Sequence, residues 1–180
     1  MWQARRFNNT EPGRPEPMTH ILMVCTANIC RSPMAQMVGA HLADKAGLAG
    51  RVTFDSAGTQ ASRFSEPPDP RTRAALLKSD YPVGKKRSRR VKPDDFTRFD
   101  LILAMDQSNL DDLLQTCPAE NSHKLRLFLA FAPELGLREV PDPYFGGPQG
   151  FERVLELCEA AAEGLILHLR QGGVPPAQTL

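Results

Sequence analysis

The stretch VCTANICRSPM, residues 24–34, contains side chains that could bind and attack an anion. Five residues separate Cys25 from Arg31, which is enough for a loop that wraps a tetrahedral anion with inward-pointing backbone N–H groups. Arg31 would complete such a cradle with a permanently charged, bidentate guanidinium. The same positive surroundings favour the thiolate of Cys25, the nucleophilic form of that side chain. The stretch therefore predicts an anion site that carries its own nucleophile.

Two neighbouring side chains fit this interpretation. Ser32 can hydrogen-bond the Cys25 sulfur, and Asn28 is a residue type that tolerates left-handed backbone angles and can hold a tight loop. The spacing alone indicates little, because a small buried cysteine and an ordinary arginine at a helix start would look the same. The order of buried strand, loop, Ser32, Pro33 and amphipathic helix favours the chemical interpretation.

An apolar run and a helical pattern flank the loop. Residues 21–24 form a short, continuous apolar run bounded by a turn, which is typical of a strand buried on both faces of a parallel sheet. Pro33 suits the first helical position, and apolar residues recur behind it at helical spacing, so we predict a helix over about 33–48. Ligands of parallel sheets bind at the carboxyl ends of strands, where this loop lies.

Further strands and helices alternate along the chain. The patterns predict strands at 51–56, 99–105 and 125–128, and helices from Pro70 with Asp69 as cap, over 108–115, and from Gln149 or Phe151 onwards. The last helix carries an apolar stripe of Phe151, Val154, Leu155, Cys158, Ala162, Leu165, Ile166 and Leu169. We predict an α/β fold, a three-layer sandwich in which helices flank a four-stranded parallel sheet of flavodoxin-like order 2-1-3-4.

Composition narrows the classes of protein. The 180 residues are 41% hydrophobic with a formal net charge of +1, so we expect one domain over 18–170, a disordered N-terminal tail over 1–17 and a flexible C-terminal tail over 171–180. The low net charge speaks against nucleic acid as a partner. No apolar run approaches the roughly 20 residues that cross a membrane and no cleavable leader is evident, so we expect no membrane partner and a cytoplasmic protein. The histidines and cysteines lack metal-ligand spacing, so we expect no metal and no cofactor.

The loop and several distant blocks resemble one known family. The segment CTANICRSP closely resembles the signature loop of the low-molecular-weight protein tyrosine phosphatases. The further blocks, in the family's order, are Asp55-Ser56-Ala57-Gly58-Thr59, Pro67-Pro68-Asp69, Asp95-Phe96, Met105-Asp106 with Ser108-Asn109-Leu110, and Val140-Pro141-Asp142-Pro143-Tyr144. The resemblance covers roughly residues 18–170.

The resemblance implies roles for individual residues. The nucleophile falls on Cys25, the phosphate-binding arginine on Arg31, the serine that supports the thiolate on Ser32, and the general acid on Asp142. The phosphate-binding loop comprises Thr26, Ala27, Asn28, Ile29 and Cys30. Chemistry demands such an acid, because a phenolate, whose conjugate acid has a pKa of about 10, leaves poorly unless it is protonated. The implied reaction is hydrolysis of phosphotyrosine in proteins through a phosphocysteine.

The resemblance also concerns the walls of the substrate pocket and a second cysteine in the loop. Tyr144, next to the acid, would form one wall of the pocket. Ser62 stands where the family has an aromatic residue on the other wall, and Phe64 is the expected substitute. Cys30 resembles the family's second loop cysteine, which forms a reversible disulfide with the nucleophile, although a buried thiol that merely packs fits equally well. The expected partner is a phosphotyrosine protein, with an autophosphorylating tyrosine kinase as one candidate.

Three alternatives share the scaffold. An arsenate reductase would need two more cysteines on a nearby segment, and residues 82–104 contain none. Arginine phosphatases of the superfamily typically carry threonine where this chain has Ile29, which favours the tyrosine type. A non-catalytic phosphate-binding module stays open, because Ala27, Ser62 and Lys86 depart from the family's pattern. Alanine at position 27 costs little unless the backbone there needs a positive φ, so we expect a normal loop.

Overall fold

The computed structural model describes residues 18–172. The N-terminal tail predicted at 1–17 lies outside the described residues, and so does the tail predicted at 171–180 apart from its first two residues. Four parallel strands form one sheet in the order β2-β1-β3-β4, as the sequence predicts. Their bounds are β1 Thr19–Cys25, β2 Val52–Gly58, β3 Leu101–Ala104 and β4 Leu125–Leu127.

Five α-helices cover the two faces of this sheet in the described part of the chain. They are α1 Arg31–Lys45, α2 Pro70–Lys78, α3 Asp95–Arg98, α4 Gln107–Thr116 and α5 Pro148–Arg170. Side chains alternate along a strand, so β1 sends Ile21 and Met23 to the layer of α1, α2 and α5, and Leu22 and Val24 to the layer of α3 and α4. The predicted three-layer sandwich is therefore confirmed.

Several predicted boundaries move. Helix α1 begins at Arg31, two residues before Pro33, because the loop already turns into helical geometry there. Strands β3 and β4 are shorter than predicted, and a 3₁₀ helix, Phe128–Phe131, takes over where β4 was expected to continue. Helix α3 was not predicted, since four residues are too few to show a period. Asp69 caps α2 as predicted, accepting a hydrogen bond from the Arg71 N–H at 2.8 Å.

The contact between α5 and the Phe128–Phe131 turn depends on a glycine. A Cβ at Gly164 would lie 1.8 Å from the Phe131 carbonyl oxygen, so only glycine lets the helix approach this closely. We expect Gly164→Ala to lower the free energy of unfolding by about 2–3 kcal/mol, because the overpacking outweighs alanine's better helix propensity. Urea unfolding followed by circular dichroism measures this loss.

Gly84→Ala is the matched control, because a Cβ at Gly84 meets nothing within 4 Å. That variant should range from unchanged to about 1 kcal/mol more stable. Equal stability of the two variants would contradict the close approach at Gly164.

Candidate active site

The Cys25 thiol lies at the carboxyl end of β1, the strand between β2 and β3. The loop over residues 26–30 follows the thiol and leads directly into α1, whose N-cap residue is Cys30. The Asn28 N–H donates to Cys25 Sγ at 3.3 Å, and Ser32 Oγ lies 3.0 Å from the same sulfur. The sulfur is thus surrounded by groups that can donate hydrogen bonds, an arrangement that suits an anionic sulfur.

Asn28 fixes the shape of this loop. Its φ of 57° is left-handed, and its buried amide nitrogen donates to Ser32 Oγ and Ser56 Oγ, each at 2.9 Å. Its amide oxygen accepts from the Arg89 N–H at 3.0 Å. Among residues 18–172, Asn28 and Asp80 are the only non-glycine residues with a positive φ, so the backbone at Ala27 does not have one. The expectation that alanine fits this loop is confirmed.

Arg31 is buried beside the loop, with a side chain that is only 3% exposed. Its Nη1 donates to Asp106 Oδ2 at 2.5 Å and to the Val140 carbonyl at 3.1 Å. Its Nη2 faces the pocket and donates to Asp142 Oδ2 at 3.2 Å. Asp106 and the Val140 carbonyl therefore hold one edge of the guanidinium. The other edge meets Asp142, whose side chain is 51% exposed.

Asp106 was not singled out as a site residue by sequence reasoning. It follows β3, and its second oxygen accepts from the Asn109 N–H at 2.7 Å, which caps α4. A single carboxylate therefore fixes both Arg31 and the start of a helix. Its position after a buried strand and before a helix was visible in the sequence, but its contact with Arg31 depends on the packing of β3 beside β1.

The segment that carries Asp142 is held by α2. Arg71 forms a bidentate pair with Asp69 and donates to the Tyr144 carbonyl at 2.9 Å. Its guanidinium carbon also lies over the Phe151 ring, 4.6 Å from the ring centroid. The hydrogen bond from Arg71 outweighs partial burial and holds the pKa of Asp69 below its usual value. Asp69 also donates its N–H to the Ile29 carbonyl at 2.8 Å, so the same two residues connect the Asp142 segment with the phosphate loop.

These elements enclose a pocket with a cavity volume of about 240 Å³. Its lining residues are Cys25, Thr26, Ala27, Ile29, Cys30, Arg31, Asp142, Tyr144 and Phe145. The structure thus brings together the predicted loop, Arg31, Asp142 and Tyr144, with Ser32 hydrogen-bonded to the sulfur from behind.

The second predicted wall residue needs correction. Phe64 does not line the pocket, because its side chain points into solvent and is 81% exposed. Phe145 lines the pocket instead, with its ring centroid 5.1 Å from that of Tyr144 and its side chain 97% exposed. Sequence reasoning missed Phe145, although its place beside Tyr144 was a signal. Both pocket aromatics therefore come from the segment that carries the acid.

Cys30 lines the same pocket as Cys25. Burial foremost, together with the negative charges of Asp69 and Cys25, raises the pKa of the Cys30 thiol to about 12. The four cysteines of the chain are all unpaired. Between residues 18 and 172, no cluster of three or more metal-ligating side chains forms, and no helix is long and apolar enough to cross a membrane.

Comparisons with known proteins agree with this geometry. The family model of the low molecular weight phosphotyrosine protein phosphatases matches residues 20–174. A putative low molecular weight protein-tyrosine-phosphatase of Synechocystis sp. is 43% identical over 83% of this chain and 95% of its own. A protein tyrosine phosphatase structure from Entamoeba histolytica is 39% identical, covers 86% of this chain and 98% of its own, and has a TM-score of 0.81. The chain therefore belongs to the low molecular weight phosphotyrosine protein phosphatases, a family of enzymes.

A more distant structure shares the fold alone. The arginine phosphatase YwlE of Bacillus subtilis is 24% identical, covers 85% of this chain and 97% of its own, and has a TM-score of 0.76. At that identity the likeness carries nothing about substrate.

Proposed function

We propose that this enzyme hydrolyses phosphotyrosine in protein substrates through a phosphocysteine on Cys25. The observation that carries the proposal is the pocket itself, in which the Cys25 sulfur accepts from the Asn28 N–H and lies beside Ser32, with Arg31 and Asp142 in the same wall. An anionic sulfur and an anionic phosphate both profit from these donors.

In the first step the Cys25 sulfur attacks phosphorus in line with the tyrosyl oxygen. The S–P bond forms, the P–O bond breaks, and the departing oxygen takes a proton from the Asp142 carboxyl. The incoming phosphate competes with Asp142 for Arg31 Nη2, while Nη1 stays on Asp106 and Val140. Arg31 thus turns one edge towards the equatorial oxygens without losing its anchor.

In the second step water attacks the phosphocysteine. The Asp142 carboxylate, having given up its proton, accepts one from the water, and the S–P bond breaks to restore the thiolate of Cys25. The loop N–H groups and Arg31 stabilise the phosphoryl oxygens in both steps. Every proton and electron pair is accounted for by Cys25, Asp142 and water, so the scheme calls for no metal.

Depth and apolar walls select the substrate. Cys25 is almost completely buried at the bottom of the pocket, and a phosphoserine side chain is too short to bring phosphorus to it. Tyr144 and Phe145 offer aromatic surface for a phenyl ring. Ile29, in the same lining, is apolar and offers no hydrogen bond to a guanidinium substrate. These features favour aryl phosphate over phosphoarginine.

A substrate panel tests the proposal. Phosphotyrosine, phosphoserine and phosphoarginine peptides of one sequence, together with arsenate, are compared by phosphate release or arsenite formation. We expect kcat/KM for phosphotyrosine to exceed the others by at least about 100-fold. Preference for phosphoarginine, or reduction of arsenate, would reassign the substrate. Phosphate or vanadate binding without any turnover would indicate a non-catalytic module.

We further propose a protective disulfide between Cys25 and Cys30. Peroxide would oxidise the Cys25 thiolate to the sulfenic acid, and the Cys30 sulfur would then displace water to form the S–S bond. Because the pKa of Cys30 is raised to about 12, its thiolate fraction rises about tenfold per pH unit below that value. Peptide mapping after peroxide treatment should therefore find more of the Cys25–Cys30 link at pH 9 than at pH 7. Over-oxidised Cys25 without the link at both pH values would refute the idea, and Cys30→Ala is the matched control.

We also propose a cellular compartment and a partner for the reaction. Unpaired cysteines, one of them a nucleophile, fit the reducing cytoplasm, where thiols persist. A tyrosine kinase that phosphorylates itself is a fitting partner, because it presents phosphotyrosine on an exposed segment.

A further inference from the structure

A cluster of cations on segments next to the phosphate loop has no part in the proposed reaction. Arg63, Lys85, Arg87 and Arg90, named here the basic rim, are all exposed. None of the four has a carboxylate partner among residues 18–172. They lie on two segments, 61–68 and 85–90, which the backbone holds against each other.

The first segment arches over the edge of the phosphate loop. The Gln60 N–H donates to the Thr26 carbonyl at 2.9 Å, and the Asp69 N–H donates to the Ile29 carbonyl at 2.8 Å. The arch 61–68 thus leaves the phosphate loop near one end and returns near the other. Arg63 lies three residues from Gln60, so its backbone is within about 11 Å of the residue that is hydrogen-bonded to the loop.

The second segment is fastened to this arch. The Ser88 N–H donates to the Glu66 carbonyl at 2.7 Å, the Glu66 N–H donates to Ser88 Oγ at 2.9 Å, and Arg90 Nε donates to the Ala61 carbonyl at 2.6 Å. Arg87 also donates to the Ser65 carbonyl. The two segments that carry the basic rim are therefore fixed to each other and to the phosphate loop.

The charge of the basic rim is not cancelled from within. Lys86 and Arg89, the other two cations of 85–90, pair with Asp55, and Arg89 pairs with Asp95 as well. Burial alone would raise the pKa of Asp55, but hydrogen bonds from Lys86 and Arg89 outweigh it and hold that pKa below its usual value. Glu66 is the one carboxylate in residues 61–68, against the four cations of the basic rim. A net positive surface remains.

We infer that the basic rim binds acidic side chains that flank the phosphotyrosine of a protein substrate. The inference rests on the proposed function, because the pocket beside the rim admits one aryl phosphate and its occupant must present that group and the acids together. An extended peptide advances about 3.3 Å per residue, so side chains two to four positions from the phosphotyrosine reach the rim. Phe64, which follows Arg63 on the same segment and is exposed, adds an apolar contact for the same peptide.

Two phosphotyrosine peptides test the inference, one with glutamate and one with glutamine at three flanking positions on each side. We expect kcat/KM to favour the glutamate peptide by about tenfold at low ionic strength, the size expected from two or three exposed charge pairs. The preference should vanish at about 0.5 M salt, where screening shortens the reach of exposed charges to a few ångströms.

Charge reversal locates the effect. Arg63→Glu combined with Lys85→Glu should bring the ratio to one or below and leave turnover of p-nitrophenyl phosphate unchanged, because neither side chain has a hydrogen bond or ion pair within 18–172. Arg170→Glu is the matched control and should keep the ratio. Arg170 ends the 23-residue helix α5, about 33 Å from its start beside Pro143. If the charge reversal impairs folding, the neutral pair Arg63→Gln with Lys85→Gln takes its place.

Each outcome is decisive. An unchanged ratio in the Arg63/Lys85 variants, or an equal fall in Arg170→Glu, would overturn the inference. Binding of a thymidine oligonucleotide through the same cations, together with equal kcat/KM for the two peptides, would also overturn it. Absence of turnover on both peptides and on p-nitrophenyl phosphate would instead refute the proposed function.

Discussion

Cys25→Ser is expected to lower kcat for p-nitrophenyl phosphate by on the order of 10⁴-fold or more, leaving the fold intact. A serine hydroxyl resembles a thiol in shape, but it stays protonated, whereas the proposed attack needs the thiolate of Cys25. Its hydrogen-bond partners, the Asn28 N–H and Ser32, would remain in place around the serine oxygen. Initial rates and the circular dichroism spectrum of the purified variant measure the two halves of this expectation.

Cys117→Ser is the matched control for that variant. Cys117 follows α4, at the end of that helix remote from Asp106, and does not line the pocket. Its loss should leave kcat within about twofold, since nothing in the reaction depends on it.

Cys25→Ser should still bind vanadate. Retention of most activity in Cys25→Ser would remove Cys25 from the nucleophile's role.

Asp142→Ala is expected to lower kcat by about 10²- to 10⁴-fold for phenyl phosphate and by at least about tenfold less for p-nitrophenyl phosphate. Nitrophenolate is a weaker base and leaves with little help, so it depends less on the proton that Asp142 supplies. A series of aryl phosphates of increasing leaving-group basicity measures the difference as a steeper fall in rate for the variant.

Asp142→Asn separates the proton from the shape of the side chain. The amide has the volume of the carboxyl group and can still accept from Arg31 Nη2, but it has no acidic proton. It should therefore show the same dependence on the leaving group as Asp142→Ala. Equal losses for phenyl and p-nitrophenyl phosphate would remove Asp142 from the acid's role, whatever their size.

The sequence specified the parts of the site that are local in the chain. The strand, the loop from Thr26 to Cys30, Arg31 and the helix behind it are contiguous, so spacing and residue type predict their arrangement. Asp142 was also within reach, but only through the resemblance of distant blocks. The cap of α2 at Asp69 followed from its own residue type and the proline after it.

The rest depends on contacts between elements far apart in sequence. Asp106 meets Arg31 across 75 residues, and Arg71 reaches the Tyr144 carbonyl across 73. No local pattern encodes such contacts. The wall residue shows the same limit, because Phe64 and Phe145 are alike as residue types and only the packing of their segments decides which ring faces the pocket.

Trapping the phosphoenzyme tests the central claim most directly. Asp142→Ala mixed with p-nitrophenyl phosphate should form the intermediate readily, because nitrophenolate leaves unaided, and hydrolyse it slowly, because the base for water is missing. Acid quench and mass spectrometry should then find one phosphoryl group per chain, and peptide mapping should place it on Cys25. A burst of one nitrophenolate per enzyme should accompany it. Turnover with no phosphoryl adduct, or an adduct on any other residue, would contradict the account.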